Sequence, residues 1–394
     1  MSDLFLTGIG HLTTNRGPAI EDAVVAVEDG IVVFAGPEGD APPQTGQRID
    51  CSGRAVMPGF VDAHTPLVFA GDRSDEFARR LAGESYKDIA SSGGGILSTV
   101  AATRKATEDE LFNLAASRVR RMIRSGTTTV EIKSGYGLDL GTESRMLRVA
   151  HRIGEELPVT VKTTFLGAHS VPEEYKNDRH GYVEKLIEEM IPGVAGLADY
   201  CDVFVEEGVF TVDEARRIFT AAAEHGMEAR VHAEQLGHTG GAALAVEIGA
   251  ISADHLDNAT EEDAAALATA GVSAVLVPGA SYTLRSRQAP GPTLVEAGCN
   301  VALATDCNPG TSFFESMGPI ISLGVVQMGL TVDQAITAAT LGGAVSLGIE
   351  DRGWVAPGAR ADLVLLDAAT PAHIPYRPGA NLVARTFKDG VAVG

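Results

Sequence analysis

Aromatic side chains are scarce in this chain, at 5% of residues with a single tryptophan, so an interior has to be filled by Val, Leu, Ile and Ala. Long apolar runs are missing too. No window of about 18 residues is both apolar and free of charge, which argues against a membrane-spanning helix. The first residues, MSDLFLTGIGHL, lack a basic stretch followed by an apolar one, so no signal peptide is expected and a cytoplasmic location is the default. The four cysteines, Cys51, Cys201, Cys299 and Cys307, are scattered and form no CxxC pair. That excludes a disulfide framework and predicts buried free thiols. Basic residues are outnumbered: 31 Lys and Arg face 52 Asp and Glu, for a formal net charge of -21. Such a chain repels nucleic acid and anionic membranes, while leaving room for a local basic pocket. Gly93-Gly94-Gly95 has no following Lys-Ser/Thr, and no early GxGxxG is found, so neither a nucleotide nor another organic cofactor is expected.

What is present reads as a large globular protein. The 394 residues, 45% hydrophobic and 21% charged, suffice for one large domain and a smaller one. Residues 1–56 look like short strands, with Asp29-Gly30 joining two apolar runs as a hairpin turn. The last segment, 361–394, resembles the first, with ADLVLLD and a second Asp-Gly at 389–390. The two ends therefore predict one composite β-sandwich domain, 1–56 plus 361–394, around a middle domain of 57–360.

The middle alternates strand and helix patterns. Eight candidate strands are 57–64, 127–133, 161–169, 202–207, 228–234, 250–255, 273–279 and 300–306. Their composition suits burial on both faces, which requires covering helices. Capping boxes mark helix starts at Thr107/Glu110, Thr211/Glu214 and Thr331/Gln334. After the first, Leu111, Leu114, Ala115, Val119, Met122 and Ile123 recur at helical spacing up to Gly126. A second stripe runs through Met146, Leu147, Val149, Ala150 and Ile153. Eight strands with helices between them predict an α/β fold, a closed (β/α)8 TIM barrel, with an open doubly wound sheet as the alternative.

In such a barrel the strand ends share one rim, so distant residues converge there. His64, His169, His232, His255 and Asp306 all end candidate strands. His64, His232 and Asp306 offer two nitrogen donors and one oxygen, a set compatible with zinc or ferrous iron. A water acidified by such an ion can attack a carbonyl carbon. His255 could take a proton or hold the developing oxyanion, and Asp306 could hydrogen-bond the water. His238, close behind, is a spare ligand candidate. Arg73 suits a substrate carboxylate, and Tyr136 and Tyr86 could cap a small ring or donate hydrogen bonds. The loop CNPGTS offers Asn308, Gly310 and Thr311 as further partners.

Taken together, PGFVDAHTPLVFAGDRSDEF, GGGILSTVAATR, TTTVEIKSGYGLDL, TTFLGAH, HAEQL, SADHL, ATDCNPGTS and GARADLVLLD resemble the imidazolonepropionases, a branch of the metal-dependent amidohydrolase superfamily. The resemblance runs through nearly the whole chain. It implies hydrolysis of 4-imidazolone-5-propanoate to N-formimidoyl-L-glutamate, a barrel with a small terminal β-sandwich, and one zinc or iron ion. It also implies metal ligands at His64, His232 and Asp306, and substrate contacts at Arg73, Tyr136, His169, Gln235, Asn308, Gly310 and Thr311. His255 would assist water attack. The expected partner is a small anionic imidazolone, and a homodimer is the expected assembly. The chain departs from the family at Pro66, where a second histidine is usual. Proline has no side-chain donor atom, so weaker metal binding is expected. In TLGGA (340–344) the family usually has an asparagine for one glycine, with a packing consequence expected and no catalytic one. Two other readings are a related cyclic-amide hydrolase or deaminase, and a catalytically silent homologue.

Overall fold

The computed structural model describes residues 4–43, 46–84 and 94–394. Five strands come first: β1 (Leu4–Leu12), β2 (Ile20–Glu28), β3 (Ile31–Pro37), β4 (Gln47–Asp50) and β5 (Ala55–Pro58). Eight more form the barrel: β6 (Phe60–Thr65), β7 (Thr127–Lys133), β8 (Thr160–Ala168), β9 (Tyr200–Phe204), β10 (Glu228–Ala233), β11 (Ser252–His255), β12 (Ser273–Leu276) and β13 (Val301–Leu303). The chain ends with β14 (Leu363–Leu366), β15 (Val383–Lys388) and β16 (Val391–Val393).

The barrel strands are all parallel and follow chain order from β6 to β13. The ends of this sheet meet. Asp306 N donates to His64 O at 2.9 Å, and Thr305 N donates to the Asp62 carboxylate at 2.9 Å. Every position of β6, β7, β11 and β12 is buried, as expected for strands covered on both faces. The doubly wound alternative is thereby excluded.

Helices cover the outside, and the three sequence-read capping boxes are all formed. Each uses a threonine hydroxyl to satisfy a free amide and a Glu or Gln to return the favour. The helix Glu108–Arg124 buries Leu111, Ala115, Val119, Met122 and Ile123, ending where Gly126 adopts φ 97°. Each fully buried Leu, Val, Ile or Met contributes roughly 1.5–3 kcal/mol. Leu114 is an exception to the expected stripe: it is 41% exposed, and Phe112 is buried instead. The second stripe holds throughout, from Met146 to Ile153.

The terminal segments build one mixed sheet in the order β16-β15-β14-β5-β1-β2-β3, with β4 paired to β1. Asp29-Gly30 and Asp389-Gly390 make its tight turns, with φ of 49° and 74°, and of 49° and 78°. Positive φ at both central residues matches the strand twist, and Asp-Gly tolerates it. Leu4, Leu6, Val25, Val27, Leu363, Leu365 and Phe387 form this sheet's core. It is fastened to the barrel by Arg352, which bridges Asp362 (2.8 Å) and Thr160 (2.7 Å).

Three strand ends come three residues earlier than the apolar runs suggest: the run 202–207 stops at Phe204, and two others follow it. The run 273–279 stops as a strand at Leu276, because Pro278 opens the helix Pro278–Leu284. The run 300–306 stops at Leu303, so Asp306 stands on the loop beyond β13. TLGGA packs tightly against the barrel: a Cβ on Gly342 would come 2.1 Å from Val301 O, and one on Gly343 2.6 Å from Val61 O. The four thiols are free, and Cys51, Cys201 and Cys307 are buried.

Candidate active site and metal centre

The barrel interior is charged near the strand ends. Side chains two residues apart on a strand share a face. Glu131 and Lys133 on β7, Asp202 on β9, Arg230 and His232 on β10, and Asp254 on β11 thus point inward together, and all are buried. Lys133 Nζ lies 2.8 Å from Glu131 Oε1 and 2.8 Å from Asp202 Oδ2. Arg230 Nη2 is 3.3 Å from Asp254 Oδ2. Burial alone would discharge Lys133, yet Asp202 and Glu131 hold its pKa above the usual lysine value. Burial would likewise neutralise Asp254, but Arg230 and Lys133 keep it well below the usual carboxylate range. Removing either side of this network leaves an uncompensated buried charge.

The two carboxylates lie behind two imidazoles. His64 Nδ1 donates to Asp254 Oδ2 at 2.7 Å, and His232 Nδ1 is 2.9 Å from Asp202 Oδ2. A proton on Nδ1 leaves Nε2 as the donor atom in each ring. Donor atoms of His64, His232 and His255 lie within 4.8 Å of one another. Asp306 Oδ1 is 3.7 Å from His64 Nε2. His64 Nε2 and His255 Nδ1 have no hydrogen-bond partner among the described residues although both are buried. Burial first, and then neighbouring positive groups, push the His64 and His255 pKa values well below the usual imidazole value, so both rings are neutral. Burial also lifts the Asp306 carboxyl well above the carboxylate range. Neutral imidazoles with free nitrogens beside a buried carboxyl fit a divalent cation, which supplies the missing positive charge.

The backbone is strained here. His255 has φ 77° and Asp306 φ 48°, left-handed values that cost side-chain-bearing residues of order 1 kcal/mol or more and cluster at functional sites. Both side chains come near His64: Asp306 Oδ1 is 3.7 Å from its Nε2, and a His255 nitrogen lies within 4.8 Å of a His64 nitrogen.

Above them opens a cavity of about 420 Å³. Of the sequence-read site residues, Arg73, Tyr136, His169, Gln235 and Asn308 line it, as do Gly310 and Thr311. His232, His255 and Asp306 reach it from the metal-site side, and Pro66 forms part of its wall. Tyr136 is buried against Phe69 and His169, with ring centroids 6.0 and 5.4 Å away. His169 Nδ1 donates to Gly135 O at 3.0 Å, and burial together with His232 lowers its pKa to about 4. Tyr86 lies outside the described residues.

Several side chains prove to be engaged otherwise than their type suggested. Arg73 is gripped by Glu76, which accepts from both Nε (3.0 Å) and Nη2. Asn308 is used by its own loop: its Oδ1 accepts from Gly310 N and Thr311 N at 2.8 Å each, and its Nδ2 donates to Asp306 O at 2.7 Å. Asn308 thereby shapes the turn that carries Asp306. Gly310 seats Arg73, since a Cβ there would stand 2.3 Å from Arg73 Nη1 and push the guanidinium aside. His238 pairs with Asp263 at 2.8 Å on the surface, away from the imidazole cluster, and so is no ligand. It is diverted because Glu234 in HAEQ accepts from Thr239, Gly240 and Ala242 amides and turns the chain outward.

Sequence reasoning missed Glu76, Arg80, Lys133, Asp202 and Asp254. The last three had a signal: a charge alternating with apolar residues in otherwise buried strands. Arg80 also lines the cavity, near the end of the short helix that follows Arg73.

Comparisons with known proteins agree with this geometry. The amidohydrolase family model matches residues 55–393. The chain is 46% identical over 409 residues to an imidazolonepropionase of Symbiobacterium thermophilum, covering 98% of this chain and 96% of that protein. It is 47% identical over 403 residues to one from Salinispora arenicola (99% of each) and 48% over 376 residues to one from Myxococcus xanthus (93% and 89%). Among solved structures, a Klebsiella pneumoniae 5-methylcytosine deaminase superposes with TM-score 0.76 at 16% identity, over 99% of this chain and 97% of that one. A Xanthomonas campestris adenosine deaminase with bound zinc gives TM-score 0.74 at 20% identity, over 99% and 92%. These two share the fold.

Proposed function

The chain belongs to the imidazolonepropionases of the amidohydrolase family, and from that membership we propose the roles of its site residues. The reaction is hydrolysis of the ring amide of 4-imidazolone-5-propanoate to N-formimidoyl-L-glutamate, in histidine degradation. A bond forms between a water oxygen and the ring carbonyl carbon, the ring C–N bond breaks, and the departing nitrogen gains a proton.

His64, His232 and Asp306 hold one divalent cation, zinc or iron. When bound, it supplies positive charge that acidifies water and polarises the carbonyl. Asp306 takes the proton from the attacking water and returns it to the departing nitrogen. Neutral His255 hydrogen-bonds the oxygen that gains charge as the carbonyl is attacked. Arg73 pairs with the propionate, Tyr136 donates to it, and His169 and Gln235 border the ring. Asn308, Gly310 and Thr311 hold the loop against which the substrate rests. The site needs no nucleotide or organic cofactor.

The observation that carries this reading is the meeting of three imidazoles and Asp306 under a cavity whose wall holds Arg73. The test is elemental analysis of the purified protein with an assay on imidazolone propionate, with and without added zinc or iron. Turnover that follows metal content is expected. A folded protein that turns over nothing under every metal condition would overturn it.

The domain limits 1–56 plus 361–394 and 57–360 belong to the same proposal, supported by the terminal sheet having its own core. So do a homodimer and a cytoplasmic location. Among the described residues no helix is long and apolar enough to cross a membrane. Exposed Val326 (69%) and Tyr376 (80%) on neighbouring helices offer apolar surface for a second copy.

A further inference from the structure

The cavity wall opposite the imidazoles is built on α1 (Ser74–Leu81), which starts just after Arg73. Arg73 does not meet the substrate with a free guanidinium. Its Nε and Nη2 are committed to Glu76, and Glu76 Oε2 also accepts from Gly95 N at 2.8 Å. The pair is only 11% exposed on each side, so it is a fixed part of the wall. Its charges cancel, leaving Nη1 directed toward Gly310.

Two turns along α1, Arg80 borders the same glycine. Its Nη1 lies 3.5 Å from Gly310 O, at the long limit of a hydrogen bond. Its Nη2 is buried with no hydrogen-bond partner among the described residues. A buried guanidinium nitrogen without an acceptor costs desolvation energy unless a ligand supplies one. The local charge count points the same way. Among the described residues lining the cavity, the charged ones are Arg73, Arg80 and Asp306, and Asp306 belongs to the imidazole side. With Glu76 added, the α1 wall holds two positive charges and one negative, a surplus equal to one carboxylate.

We propose that Arg80 is the uncommitted half of a two-arginine clamp that selects the carboxylate of the substrate, with Glu76 anchoring Arg73 as the other half. The inference rests on the imidazolone reaction assigned above and adds a specificity residue to it. The incoming propionate accepts from Arg73 Nη1 and from the Arg80 guanidinium, which turns to it, and so supplies the acceptor that Arg80 lacks among the described residues. A ring bearing an uncharged side chain gains nothing from Arg80 and leaves it unpaired.

The test compares Arg80→Met and Arg80→Lys with wild type, on imidazolone propionate and on its neutral propionamide analogue. Arg80→Met is expected to raise KM for the propionate about 10-fold or more, as loss of a charge-assisted hydrogen bond does, with kcat within about twofold. KM for the propionamide should stay the same, and Arg80→Lys should recover part of the loss. An unchanged KM, or an equal loss on both substrates, would overturn the clamp; the second result would make Arg80 structural. If Arg80→Met does not fold, Arg80→Lys carries the same comparison. Calorimetric titration with N-formimidoyl-L-glutamate reads Arg80 without turnover, so failure of the clamp is distinguishable from failure of the assigned reaction.

Discussion

His64 and Asp254 stand 190 positions apart in the chain and meet at 2.7 Å in the barrel, the imidazole Nδ1 donating to the buried carboxylate. This one contact sets which nitrogen of His64 is free for a metal ion, and it exists only because β6 and β11 lie in one closed barrel.

Asp254→Asn keeps the shape of the side chain and removes its charge. Partners of this kind contribute roughly 10–100-fold to metal affinity. A loss of that size is expected in competition with a chelator, read by elemental analysis. Unaltered retention would mean that His64 is oriented by packing alone.

Pro66 is buried at the cavity wall two residues beyond His64 and brings no donor atom. Pro66→His adds a direct ligand, so retention of zinc or iron should rise by more than the roughly 10–100-fold that outer-layer partners supply. Turnover should rise with occupancy at limiting metal. Occupancy equal to wild type would remove the account of Pro66 as a missing ligand.

Lys133 balances Glu131 and Asp202 directly, with Asp254 3.6 Å away. Lys133→Met leaves that negative charge uncompensated in the barrel. The expected cost is about 3–5 kcal/mol of stability, measured by urea unfolding of metal-free protein at pH 7. A change below about 1 kcal/mol would show that Arg230 alone suffices.

His169 gives stability a pH dependence. Its folded pKa is lowered to about 4 against an ordinary 6.5. As pH falls below 6.5 the unfolded chain takes up a proton that the folded ring refuses until about pH 4. Stability that is fully present above pH 6.5 is therefore lost across that window, by up to about 3 kcal/mol. His169→Gln should flatten this part of the urea-midpoint profile of metal-free protein. A wild-type slope in the variant would assign the acid sensitivity to other groups.

Gly310→Ala tests the seat of Arg73. The added methyl would stand 2.3 Å from Nη1 and displace the guanidinium. KM for imidazolone propionate should rise roughly tenfold with kcat little changed, the sign of lost ground-state binding. Unchanged KM would separate Arg73 from carboxylate recognition.

The amino-acid sequence by itself determined the barrel, the terminal sheet with its two Asp-Gly turns, and the capped helix starts, because these follow from local periodicity and turn chemistry. It also determined which residues crowd the strand ends, since a parallel barrel places every such end on one rim. Only the tertiary structure decided what each of those groups can do. Glu76 engages Arg73 and Asn308 serves its own loop. Arg80 is left with a nitrogen unmatched among the described residues, and a lysine on β7 balances carboxylates from β7 and β9. These are distances across the barrel and between loops, accurate to a hydrogen bond, and no spacing along the chain encodes them. Hydrophobic patterning says which residues are buried, whereas the charge and free valence of a buried polar group depend on the particular atoms that fold against it.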